Sequence, residues 1–296
     1  MSDANAKRIF RELRTLARAD YGANTGSLLV VYAVEGFLRR LAASEYAANM
    51  TLKGGMLMAA MDGRRMTKDA DLSAAGISNN QARLAAVVGE ILAEPLAGDD
   101  GLAFDADSIR TEAVREDAEY QGVRVRVLAQ LATARVTVTL DFSFGDPKRS
   151  TAIELPELLG TGTIRLAAYP PEMTVAEKVA TMMSRRELNT RDRDFADVWV
   201  LSRVRPFSAP ELRAAILEVA DHRGHAVITL ADALADMPDR QRPYTAMINR
   251  MGFQHAPPAS WNDLLADVRA FIDPLIADTT CRLRRWDRAN RRWDVF

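Results

Sequence analysis

Apolar residues recur every three or four positions at the two ends of this chain and every second position in between. Ile9, Leu13 and Leu16 share one face of a predicted helix over residues 5–19. Residues 22–27 break the pattern, and Ser27 is placed to cap a second helix reaching about residue 46. Leu29, Val30, Ala33, Phe37, Leu38 and Leu41 supply its apolar positions. Residues 50–53 read as a strand, Gly54-Gly55 as a turn, residues 56–61 as a short helix and residues 69–72 as a second strand. A helix over residues 79–93 leads to a loop at 95–101. Three β-like runs follow at 109–115, 123–129 and 135–144. In the last, Val136, Val138 and Leu140 alternate with Thr137, Thr139 and Asp141, so one face packs and the other meets solvent or a site. Beyond Pro170-Pro171 the helical period returns. Thr174 and Glu177 have the spacing of a capping box for a helix to about residue 187. Further helices are expected at 191–204, 208–220, 228–236, 240–250 and 260–277. The pattern predicts an α+β, bilobed chain. Residues 1–168 hold the strands, and residues 169–296 form an all-helical lobe with a basic C-terminal tail.

Composition narrows the class without naming a chemistry. A hydrophobic share of 48% with 27% charged residues describes a chain that buries a core beneath a polar surface. Its net charge of −1 exerts no global pull on nucleic acid, so any such contact rests on local basic patches. The single cysteine, Cys281, excludes an internal disulfide and a multi-cysteine metal site. The N-terminal residues lack an apolar signal-peptide core and no long apolar run occurs, so a reducing cytoplasm is the expected location.

Most of the candidate chemistry clusters at the first two predicted strands. On a strand, Asp69 and Asp71 point the same way. Two like charges so held are unfavourable without a cation between them, and hard oxygens in that pattern suit Mg²⁺, or Mn²⁺ in its place. Gly54-Gly55 lets backbone N–H groups approach a phosphate. Lys53 and Arg65 flank these elements and are placed to hold phosphate, one as a point charge and the other as a fork. Thr67, two residues before Asp69, puts its hydroxyl on the same strand face, at the border of this site.

Gly54-Gly55 followed by Arg65-x-Thr67-x-Asp69-x-Asp71 resembles the signature of polymerase-beta-like nucleotidyltransferases. More narrowly, Leu52-Lys53-Gly54-Gly55, Asp69-Ala70-Asp71-Leu72, Glu177-Lys178 and Arg191-Asp192-Arg193-Asp194-Phe195-Ala196-Asp197 look like the AbiEii/MenT toxins of bacterial toxin–antitoxin systems. The resemblance covers roughly residues 30–205. It implies an N-terminal nucleotidyltransferase lobe with a mixed β-sheet, and Mg²⁺-dependent transfer of NMP from an NTP. A third carboxylate, matched by Asp141, would activate the acceptor hydroxyl, and Lys178 would meet the nucleotide phosphates. A late aspartate faces the site in that family; Asp197 fits its apolar flank best and Asp194 second. The implied acceptor is the 3′ end of tRNA, with translation blocked as a result. A cognate antitoxin from the same operon is the implied partner, and no membrane is involved. The catalytic candidates are thus Asp69, Asp71, Asp141, Lys178 and Asp197, with Lys53, Gly54, Gly55, Arg65, Thr67 and Asp194 around the nucleotide.

Two other readings stay open: nucleotidyl transfer to a protein or small-molecule hydroxyl, and a non-catalytic nucleotide-binding regulator. In the last sixteen residues Arg282, Arg284, Arg285, Arg288, Arg291 and Arg292 interleave with Trp286 and Trp293. That composition can grip a phosphate backbone and stack on unpaired bases. With Arg185, Arg186, Arg191 and Arg193 it predicts an RNA-binding groove. His222 and His225 stand three apart, but no carboxylate or cysteine pattern completes a metal site around them.

Overall fold

The computed structural model of the protein describes residues 3–19, 24–63, 67–117, 120–147, 149–160, 162–251, 253–278 and 282–295. Arg65 and Cys281 fall outside these. The chain divides into two units: Met1–Ala60, Met66–Asp146 and Ser150–Ala168 make the first, and Met61–Arg65, Pro147–Arg149 and Tyr169–Phe296 the second.

The first unit opens with α1 (Asp3–Ala19), whose Ala6, Ile9, Leu13 and Ala17 are buried along one stripe against α2. Helix α2 (Thr25–Ala43) is buried nearly all round, as expected of an apolar helix lying under a sheet. Its cap is Asn24, whose side chain accepts from the Ser27 N–H; Ser27 is therefore the capped residue and not the cap. Then come β1 (Met50–Lys53), α3 (Gly54–Leu57), β2 (Asp69–Ala74) and α4 (Gln81–Leu92). The alternating runs become β3 (Leu102–Asp117), β4 (Tyr120–Leu131) and β5 (Ala134–Phe144), all longer than predicted. Two further strands, β6 (Thr151–Pro156) and β7 (Thr163–Ala168), complete a seven-stranded sheet in the order β3-β4-β5-β2-β1-β7-β6. The sheet is mixed. The β2–β5 and β1–β7 pairs are parallel and the rest antiparallel. Helix α2 lies against β2, β5 and β7. On β2, Ala70 and Leu72 are buried, and on β5 so are Val138, Leu140 and Phe142. With a side-chain period of two, Asp69, Asp71 and Asp141 must then occupy the opposite face.

The second unit is built from α5 (Pro171–Arg185), α6 (Asp192–Val204), α7 (Ala209–His222), α8 (Leu230–Ala233), α9 (Gln241–Met251) and α10 (Trp261–Ala277). Pro171 sits in the first turn of α5, where its missing N–H costs nothing. The helix thus starts a turn before the predicted capping box. Thr174 lies inside it, donating to the Pro170 carbonyl, and Glu177 pairs with Arg223.

The unit ends in a two-stranded hairpin, β8 (Leu283–Asp287) and β9 (Arg292–Val295). Trp286 and Trp293 face each other across it and are buried against Phe271. Their indole N–H groups donate to the Ser202 and Phe271 carbonyls, each at 2.8 Å. Core aromatics satisfied in this way do not stack on bases, so that expectation is overturned. The arginines remain exposed, with Arg288 bonded to the Val204 carbonyl and Arg291 paired with Asp267. Among the described residues no helix is long and apolar enough to cross a membrane.

Candidate active site

Strand register assembles the acidic site. Lys53 on β1 lies opposite Asp71 on β2, Asp71 opposite Asp141 on β5, Asp141 opposite Arg124 on β4, and Arg124 opposite Glu112 on β3. Residues directly opposite share a face, so one row across five adjacent strands carries a cation, two carboxylates, a cation and a carboxylate. Asp69 stands one step along β2, opposite Thr139. The sheet therefore gathers Lys53, Asp69, Asp71 and Asp141 on one face, Asp69 and Asp71 by their i and i+2 spacing and the others by register.

Gly54 follows directly on β1 with φ of +68°, a backbone region that side chains strain. A Cβ there would stand 1.8 Å from Asp71 Oδ2. The glycine thus makes room for the aspartate as well as for the turn. Gly55, next in α3, is buried. The Thr67 hydroxyl, also buried, donates to Asp69 Oδ1 at 2.8 Å and so holds that carboxylate's rotamer.

Both cations of the row are tethered. Lys53 Nζ lies 2.9 Å from Asp146 Oδ2, and Asp146 also accepts from the Ser143 hydroxyl. Burial alone pushes the Asp146 carboxyl up, but Lys53, Ser143 and Ser73 together outweigh it and bring the pKa from 3.8 down to about 2. A folded pKa below the unfolded one means stability present above about pH 4 and lost as pH falls through about 2. That shift corresponds to roughly 2 kcal/mol. Between pH 5 and 2, the unfolding free energy from urea titrations should fall by roughly that much more in the wild type than in Asp146→Asn. Parallel pH curves for the two proteins would discard the Lys53 tether as a stabilising contact. At the far end, Arg124 Nε donates to Asp141 Oδ1 at 2.6 Å and Arg124 Nη2 to Asp141 Oδ2 at 2.9 Å. Arg124 and Asp146 escaped the sequence reading. The signal for Arg124 was present, because Val123, Val125 and Val127 alternate with Arg124 and Arg126.

A second charged cluster lies within the helical unit. Lys178 on α5 is buried, with its Nζ 2.8 Å from both Asp194 Oδ1 and Asp197 Oδ2 on α6. The two aspartates stand three apart, on one face of the helix. Asp197 is fully enclosed, Asp194 nearly so, and Arg191 approaches Asp194 at 4.0 Å. Asp192, at the start of α6, is forked by Arg240 at 2.8 and 2.9 Å.

No three His, Cys, Asp or Glu side chains form a metal-holding group among the described residues. Mg²⁺ commonly takes only one or two carboxylates from the protein, the rest of its shell being substrate phosphates and water. Asp69 and Asp71, with hard oxygens on one face of β2, fit that share.

Residues 36–271 match the profile of the family described as the nucleotidyl transferase AbiEii toxin of a Type IV toxin–antitoxin system. No curated protein matches the sequence. Among solved structures, an H. pylori protein solved as a candidate nucleotidyltransferase is 13% identical, with a TM-score of 0.45 over 85% of this chain and 93% of that one. JHP933 from Helicobacter pylori is 14% identical, with a TM-score of 0.42 over 72% of this chain and 85% of that one.

Proposed function

The chain belongs to the AbiEii nucleotidyl transferase toxin family, and from that membership we propose that it transfers NMP from an NTP to the 3′-terminal hydroxyl of tRNA. The family carries with it nucleotidyltransferase activity, an NTP substrate and an antitoxin partner. The acceptor, the metal and the residue roles are our reading. What supports the roles is the single sheet face that holds Asp69, Asp71 and Asp141 between Lys53 and Arg124.

Asp69 and Asp71 would hold Mg²⁺, or Mn²⁺, which when bound neutralises charge on the triphosphate. Lys53 and the Gly54-Gly55 turn receive phosphate oxygens at the β1 end of the row. Asp141 accepts the proton of the acceptor hydroxyl as its oxygen attacks the α-phosphorus. The bond to the β-phosphate oxygen breaks, and pyrophosphate leaves. Thr67 keeps Asp69 oriented through the step. In the helical unit, Asp194 and Asp197 fix the Lys178 ammonium. A nucleotide added to the 3′ end of tRNA blocks aminoacylation, so translation stops. The site of action is the cytoplasm, where tRNA and NTP meet.

The test incubates the purified chain, and Asp69→Ala, with total bacterial RNA, Mg²⁺ and each α-³²P-labelled NTP in turn. Label at tRNA size is expected from the intact chain, reduced on the order of 10³-fold by Asp69→Ala. Label on protein, or on no macromolecule, would replace the tRNA acceptor with another hydroxyl.

A further inference from the structure

Arg124 holds Asp141 with only part of its donor set. A guanidinium presents two hydrogen-bonding edges, and the Nε/Nη2 edge is the one that forks Asp141, at 2.6 and 2.9 Å. Nη1 forms an ion pair with Glu112 Oε1 at 3.8 Å, too long for a hydrogen bond. Glu112 is itself held by Arg126 Nη2 at 2.9 Å. The Arg124 side chain is 31% exposed and rises from the sheet face that carries Asp71. A planar fork on an open face matches a phosphate oxyanion in shape and charge.

Position along the row decides which phosphate. Lys53 ends β1 and Gly54 follows it, on one side of Asp71, whereas Arg124 stands on β4, beyond Asp141. The triphosphate end and the acceptor end of the row are therefore different ends. We propose that the Nη1/Nη2 edge of Arg124 binds the phosphodiester next to the 3′-terminal hydroxyl of an RNA acceptor, a role that rests on the RNA reading above. One guanidinium then fixes both the carboxylate that takes the proton and the nucleotide that gives it. An acceptor without that phosphate gains nothing from this edge, so Arg124 selects polynucleotides over small hydroxyl compounds.

The experiment uses the full chain and two tRNA-derived RNA acceptors that differ at the last phosphodiester, one native and one a neutral methylphosphonate. kcat and KM are measured separately for acceptor and NTP. For the wild type, the methylphosphonate should lower kcat/KM for the acceptor about 10- to 100-fold, with KM for the NTP unchanged. Arg124→Gln should lose at least as much with the native acceptor and nothing further with the methylphosphonate, and Arg124→Lys should recover part. The wild-type comparison needs no variant to fold. Equal wild-type rates on both acceptors, or losses that multiply when variant and methylphosphonate are combined, would overturn the phosphate role and leave RNA transfer standing. Wild-type failure to label either RNA would remove the RNA reading and this role with it.

Discussion

Lys178→Met should destabilise the helical unit by roughly 3–5 kcal/mol, because it removes the cation held between two buried carboxylates. The ammonium lies 2.8 Å from both Asp194 and Asp197, and Asp197 is fully enclosed. Water cannot replace the lost partner at an atom it does not reach. Methionine keeps the length of the stem, so the loss reports charge more than volume. The measurement is the urea midpoint followed by tryptophan fluorescence, and the second variant is Lys178→Met with Asp197→Asn. Neutralising Asp197 at the same time should return part of the stability. A wild-type midpoint for Lys178→Met alone would show that the pair titrates or hydrates instead of staying buried and ionic.

Gly54→Ala should abolish transfer while costing the fold little. Alanine at φ of +68° costs roughly 1–2 kcal/mol in backbone strain. The added methyl would also fall 1.8 Å from Asp71 Oδ2, so the carboxylate must move. Displacing a reacting or metal-holding group by about 1 Å costs about 10²-fold in rate. Transfer rate and urea midpoint should therefore part company, the first falling at least about 100-fold and the second only slightly. Gly54→Ala with normal activity would mean that the proximity of Gly54 to Asp71 plays no part in catalysis.

The parts of this molecule written into local sequence were legible there. Asp69 and Asp71 at i and i+2, the Gly54-Gly55 turn and the period-two pattern of residues 135–144 all state their faces without a partner strand. The row that runs from Lys53 to Glu112 was not legible, because it exists only once five strands have taken their register. The fork on Asp141 and the tether on Lys53 come from seventeen and ninety-three residues away respectively. Strands β6 and β7 were missed for a related reason. Each is only six residues long: β7 does alternate, with Thr163 and Arg165 exposed and Ile164 and Leu166 buried, but over too short a run to stand out, and in β6 only Leu155 is buried. At the C-terminus composition misled. Arginine with tryptophan reads as a nucleic-acid surface, but Trp286 and Trp293 serve the core and leave only the arginines outside.

The parallel pairing of β2 with β5 also sets when the acidic face comes into being. Asp71 and Asp141 are joined by register across some seventy residues of chain, with α4, β3 and β4 intervening. Contacts so distant in sequence form late, since the loop must close before they stabilise anything. Helices α1 and α2 and the β1–β2 pair can form during synthesis, but the carboxylate opposite Asp71 arrives only when β5 has left the ribosome. On the role proposed for Asp141, a partly made chain holds no working site until the sheet has closed around β5.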